Sequence, residues 1–413
     1  MDSISTVNVV FIEPFFPRNQ REFARGLAET GATVIGVGET PLWGLDDQLK
    51  GWLTHYEQVS SVTNVDAMTE VVRRIQSRLW VDRLEATIEA HTMAAAQVRE
   101  ATGIPGTAVR TAWLCRDKPS MKQALRDAGV PTAASTAAGT AAEAHEFAAR
   151  VGFPLILKPR AGAGAADTMR VDDDDQLNRA LLNYGRAGVG SIAVEEFVEG
   201  HEGFYDTLTV NGEVELDFVS HYYPNVLEAM RTRWINPQFV STNRLDSVTE
   251  YDEVKEMGRR VVKALGIGTS ATHMEWFFGP KGLKFSEIGC RPPGVGAWDL
   301  YSAGNDIDLY REWAHAVVHG HVSTRPSRRF ASGIVALRPE ADGRVHGYSG
   351  VDDMQHRFGE YVIDVHLPHV NSPTQPVEAG YMANAYVRMR HPDYDTLRGM
   401  LDTVGQTLRV HAS

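Results

Sequence analysis

Residues 272–294, THMEWFFGPKGLKFSEIGCRPPG, decide how the chain is read. Two β-prone runs, THMEWFF (272–278) and LKFSEIG (283–289), flank the turn GPKG, so the stretch predicts an antiparallel hairpin. Glu275 and Glu287 lie on its two arms, where a pair of carboxylates can share one face of a sheet. His273 stands two residues before Glu275, and strand alternation sends both the same way. Carboxylates without thiolates suit hard cations such as Mg²⁺ or Mn²⁺, which also bridge nucleotide phosphates. Arg291 follows at a rigid Pro-Pro-Gly break. An acid pair, a base and a stiff loop this close together favour a site over a solvated edge.

Upstream, FPLILKP (153–159) reads as a strand ending at Lys158, and AGAGAADT (161–168) follows at once. A lysine there can hold a point charge against phosphate, while small residues let backbone N–H groups approach. The order is not that of a P-loop. SIAVEEFV (191–198), YDTLTV (205–210) and EVELDFVS (213–220) are further strands, the last two joined by the hairpin signal Asn211-Gly212. Helices are predicted over 120–129, 141–152, 250–265 and 307–320, most stopping at a glycine. The stretch 221–246 reads as irregular, and its Arg231 and Arg233 could grip a substrate carboxylate or serve as a solvated basic loop.

The front of the chain is a β-α-β unit: strand 7–12, helix 18–30 and strand 33–37, with further helical patterns at 65–79 and 85–101. No G-x-G-x-x-G follows the first strand, so a dinucleotide site is not read there. From about 326 short strands and turns alternate before a closing helix at 393–404. The chain therefore divides into 1–115, 116–325 and 326–413, an α/β architecture with an α+β central part. Its 413 residues give ample chain for more than one core. With 41 Lys and Arg against 53 Asp and Glu, the net charge of −12 disfavours a nucleic-acid partner. No apolar run approaches the ~20 residues of a membrane span. Cys115 and Cys290 belong to no CxxC pair, which points to reduced thiols and a cytoplasmic protein. The histidine pairs His319/His321 and His366/His369 lack the company of a zinc site.

Four segments, in order, carry a resemblance: RDKPSMKQAL (116–125), LILKPRAGAGA (155–165), VEEFVEGHE (194–202) and FSEIGCRPPG (285–294). They resemble the ATP-grasp superfamily, and within it the ADP-forming carboxylate–amine ligases that include L-amino-acid ligases. The resemblance implies an ATP-grasp fold: an N-terminal α/β domain, a central ATP-grasp domain and a C-terminal subdomain. It implies ATP and Mg²⁺ (or Mn²⁺) as cofactors, small carboxylate and amine substrates, and a homodimer. Lys118 and Lys158 would contact the ATP phosphates, with Gly162 and Gly164 closing over them. Glu195 and Val198 would bind adenine largely through backbone groups, with Phe197 beside it and Glu196 among the nucleotide contacts. Glu202 would receive the ribose hydroxyls, and Glu275 and Glu287 would ligate the metal. Arg291, with Lys158, would be catalytic. Apart from the resemblance, Arg231 and Arg233 stand as candidate substrate contacts, and His273 either acts beside the phosphates or is a packed histidine. Where many members have a metal-binding asparagine, this chain has Gly289, which leaves the number of protein ligands open. A biotin-carboxylase-like enzyme activating bicarbonate, or a non-catalytic nucleotide-binding module, are the alternative readings.

Overall fold

The computed structural model describes residues 6–161, 167–379 and 382–413. It begins with β1 (Asn8–Ile12), α1 (Gln20–Glu29), β2 (Thr33–Gly38), α2 (Asp47–Trp52), β3 (His55–Gln58), α3 (Val65–Gln76), β4 (Arg83–Glu85) and α4 (Thr92–Thr102). The strands form a parallel sheet in the order β3-β2-β1-β4, so their carboxyl ends share one edge. β1 lies inside the sheet and is apolar almost throughout, as a strand buried on both faces must be. β4 corrects the helix read over 85–101, which shrinks to α4. Three residues leave no alternation to read, and pairing with β1 decides their state.

Next come α5 (Val109–Leu114), α6 (Lys118–Asp127), β5 (Ser135–Ala138), α7 (Ala141–Val151), β6 (Leu155–Pro159), β7 (Met169–Val171), α8 (Asp174–Arg186) and β8 (Ile192–Glu196). Their strands make a small antiparallel sheet, β5-β8-β6-β7, with α7 and α8 packed on it through Phe147, Leu177 and Tyr184. A long antiparallel sheet is then built from β9 (His201–Val210), β10 (Glu213–Tyr223), β11 (Gln238–Ser241), β12 (Ser270–Gly279) and β13 (Gly282–Gly289). Between them lie α9 (Val226–Ala229) and α10 (Asp252–Leu265). The stretch expected to be irregular thus contains β11, and β10 runs on to Tyr223; pairing with a strand from beyond residue 326 supplies the order. Asn211 and Gly212 both adopt positive φ, as the tight hairpin turn requires.

The rest of the chain supplies α11 (Ala297–Asn305), α12 (Leu309–His319), β14 (Ala331–Leu337), β15 (Val345–Ser349), α13 (Val351–Phe358), β16 (Val362–His366), β17 (Ala385–His391), α14 (Tyr394–Thr407) and β18 (Arg409–Ala412). β14, β17 and β16 continue the long sheet, in the order β13-β12-β9-β10-β11-β14-β17-β16. The last segment therefore shares its sheet with the one before it. Cys115 and Cys290 are buried free thiols.

The N-terminal sheet is fastened to the rest through α1 and α12. Phe23 of α1 packs among Trp298, Tyr310 and Trp313, with ring centroids 5.2, 4.9 and 5.0 Å away. Arg25 reaches Asp308 at 2.9 Å. At Gly26 the helices meet backbone to backbone: a Cβ there would stand 2.7 Å from the Tyr310 carbonyl oxygen. Main chain cannot swing aside as a side chain does, so Gly26→Ala is expected to cost about 1–3 kcal/mol. A urea titration checks it: the midpoint falls with the slope unchanged, and an unmoved midpoint would mean the two helices can separate freely.

Candidate active site

A cavity of about 400 Å³ lies between the small sheet and the long one. Lys158 and Ile156 of β6 line one wall, and Glu275, Phe277 and Glu287 of β12 and β13 line the other. Lys118 and Lys122 of α6 close it from the side. The Phe285 N–H donates to the carbonyl of Pro131, between α6 and β5, at 2.8 Å, and an ion pair between Lys281 in the hairpin turn and Glu196 of β8 joins the two sheets.

The hairpin explains why the carboxylates point inward. On β12, Met274 and Trp276 sink into the core, so His273, Glu275 and Phe277 take the opposite face. On β13, Leu283, Phe285 and Ile288 belong to that same core, and plain alternation cannot seat all three. A bulge resolves it: Glu275 is paired with Glu287 while Trp276 is paired with Phe285, leaving Ser286 extra. Glu287 is thereby turned to the cavity, directly across from Glu275.

Three lysines meet two of the cavity's carboxylates. Lys122 Nζ is 2.6 Å and Lys158 Nζ 3.0 Å from Glu195 Oε2, while Lys158 and Lys118 lie 3.6 and 3.5 Å from Glu287 Oε2. The first turn of α6 is held against the end of β6, which brings the lysines together. Asp117 caps the helix through the Ser120 N–H and takes the Arg160 guanidinium at 2.8 Å, and the Lys118 N–H donates to the Arg160 carbonyl. Burial resists charge on Lys158, but Glu195 and Glu287 outweigh it and hold the ammonium firmly protonated. Burial likewise opposes ionisation of Glu287, yet Lys118 and Lys158 keep its carboxyl well below the usual range.

Next to the acid pair, His273 bridges Asp206 and Glu275. Its Nδ1 is 2.7 Å from Asp206 Oδ1 and its Nε2 3.7 Å from Glu275 Oε1. Burial depresses its basicity, but Asp206 and Glu275 prevail and lift it to about 9, so the ring is an imidazolium at neutral pH. The Tyr301 hydroxyl donates to the other oxygen of Asp206. Glu202, opposite Phe277 on β9, accepts the Val226 N–H at 2.7 Å. Burial first, and then the charges of Glu275 and Glu287, push its carboxyl upward. That side of the cavity is short of positive charge, and Glu275 and Glu287 offer hard oxygens to a divalent cation. Among the described residues no three His, Cys, Asp or Glu form a metal cage. Mg²⁺ needs none, since it takes one or two carboxylates and completes its shell with phosphate oxygens and water.

The other sequence-predicted residues are distributed as follows. Glu195 pairs through its strand with Ser135 and Ile156, and its carboxylate turns to the lysines. Glu196, Phe197 and Val198 line the cavity, with the Arg170 guanidinium 4.3 Å above the Phe197 ring. Arg231 also lines it, whereas Arg233 is paired with Asp342 outside the lining. Arg291 stands beyond Gly289, its Nε donating to Glu89 at 2.8 Å. Gly162 and Gly164 lie outside the described residues. Lys122, Asp206 and Glu89 were missed. Lys122 could have been found from its place one helical turn after Lys118; Glu89 reaches the site only through the packing of the N-terminal sheet.

Residues 123–305 match the family model of the ATP-grasp domain. An L-arginine-specific L-amino acid ligase of Bacillus subtilis is 26% identical over 267 residues, 63% of this chain and 63% of that protein. A carbamoyl phosphate synthase large chain of Rubrobacter xylanophilus is 24% identical over 319 residues, 70% of this chain and 28% of that one. The chain thus spans less than two thirds of the length of these relatives. The crystal structure of an L-amino acid ligase from Bacillus licheniformis superposes with a TM-score of 0.77 at 17% identity, covering 99% of both chains, which shows the shared fold.

Asp206 is 1% exposed and serves both His273 and Tyr301. Its removal strands a buried imidazolium, so Asp206→Ala is expected to lose about 3–5 kcal/mol of stability. Asp206→Asn keeps an acceptor and should lose less. Chemical denaturation of both variants decides it; an alanine variant no weaker than the asparagine one would deny the pairing its role.

Proposed function

We propose that the chain, whose residues 123–305 match the ATP-grasp domain, is an ADP-forming ligase that joins a carboxylic acid to an amine, both of them amino acids. The observation that carries this reading is the meeting of Lys118 and Lys158 with the register-paired Glu275 and Glu287 in one cavity. The kinship to an L-arginine-specific L-amino acid ligase supports amino acids as the substrates.

The reaction proceeds in two displacements. A carboxylate oxygen of the first substrate bonds to the γ-phosphorus of ATP as the β–γ bridging bond breaks, giving an acyl phosphate and ADP. The nitrogen of the second substrate then bonds to the acyl carbon, phosphate leaves with the electron pair of its C–O bond, and the nitrogen sheds a proton. Phosphoryl transfer asks the protein for position and compensating charge more than for covalent help. Lys158 and Lys118 supply charge at the phosphates. Glu275 and Glu287 would hold Mg²⁺, which neutralises phosphate charge when bound. His273 orients Glu275 from behind and is itself fixed by Asp206. Arg291 meets the negative charge of the acyl phosphate and of the tetrahedral intermediate, while Glu89 fixes its guanidinium. Phe197 under Arg170 receives the base. The cytoplasm, where Cys115 and Cys290 stay reduced, is the matching compartment.

The test is release of ADP and phosphate from ATP across a panel of amino-acid pairs. Release that needs both members of a pair is expected, and Lys158→Ala and Arg291→Ala should each abolish it. Near-normal turnover in either variant sinks the proposal, and release with bicarbonate alone replaces it with carboxylate activation of another kind.

A further inference from the structure

Lys122 is a cation of the cavity with no task in the reaction above. Lys122 is 1% exposed, and its Nζ stands 2.6 Å from Glu195 Oε2. That same oxygen takes Lys158 at 3.0 Å, while Glu195 Oε1 is buried without a hydrogen bond among the described residues. The charged groups around the Lys122–Glu195 pair are Lys118 and Arg126 on the same helix as Lys122, Lys158 on β6 and Glu287 on β13, with Glu275 and Glu202 across the cavity.

We infer that Lys122 is a positioning residue, the standing counter-ion of Glu195 that allows Lys158 to leave this carboxylate and turn to the nucleotide phosphates. The inference rests on the reading that the cavity receives ATP. A buried carboxylate stripped of its partner is strongly destabilised. Were Lys158 the sole partner of Glu195, every move of Lys158 toward phosphate would incur that loss. With Lys122 in place Glu195 stays neutralised, and Lys158 is shared at little cost. Burial draws the Lys122 ammonium down to about 8, with Lys158 adding to the effect and Glu195 opposing it. As pH rises through that value Lys122 loses its charge, Glu195 falls back on Lys158, and ATP affinity declines.

The experiment measures ATP binding by calorimetry, and KM and kcat by ADP release, in the full chain. Lys122→Met is expected to weaken ATP binding about tenfold or more, with KM moving further than kcat. Lys122→Arg should bind near normally and lack the alkaline limb that the wild type shows near pH 8. In Lys122→Met/Glu195→Gln both charges are gone and Lys158 is released, so binding should recover toward the wild-type level. Unchanged ATP affinity in Lys122→Met, or a double variant no better than the single one, overturns the inference. Should Lys122→Met fail to fold, persistence of the alkaline limb in Lys122→Arg overturns it as well. A wild-type chain that binds no ATP overturns instead the functional reading on which this rests.

Discussion

Charge taken out of water must be paired where it lands, and here five charged side chains from four elements land together. Lys118 and Lys122 come from α6, Lys158 from β6, Glu195 from β8 and Glu287 from β13. Each carboxylate is shared by two lysines, so moving any one element leaves a neighbour's charge uncompensated. The small sheet, the long sheet and α6 are thereby held in register around the cavity. Apolar side chains could hold these elements together at least as firmly. What charges add is the ability to regroup when a polyanion enters, and that favours a site over a scaffold.

The same economy governs the opposite wall. β12 and β13 must bury Trp276, Met274, Phe285 and Ile288 and still present acids to the cavity. An unbroken hairpin would send Glu287 to the side of Phe285. The bulge at Ser286 turns it around, and the acid pair is the result. His273 then sets a positive charge beside Glu275 and is held in place by Asp206, with Tyr301 closing the chain of contacts.

These local devices explain what could be read from the residues. Lys158 at a strand end, the paired glutamates and Asn211-Gly212 each depend on neighbours a few positions away, so the pattern carries them. β4 did not announce itself, because three residues have no period and only the facing β1 makes them a strand. β11 was read as irregular for a related reason: its partners, β10 and β14, flank it from both sides of the chain. At the site the division is the same. Glu275 and His273 followed from alternation, whereas the acceptance of two lysines by Glu195 depends on three separate elements converging.

Gly289 shows how far such convergence can reach. A side chain there would share the face of Glu287, yet a Cβ would stand 3.1 Å from Glu89 Oε2 and 3.5 Å from Arg291 Cγ and Nε. A larger side chain there would press on a carboxylate from the turn after β4 and on the arginine it binds. Glu89 follows the carboxyl end of β4, and Arg116, just ahead of α6, donates to its backbone carbonyl at 3.0 Å. The edge of the parallel sheet is thus tied to the residue that would meet the acyl phosphate. With no side chain at 289, Glu89 reaches Arg291 unobstructed.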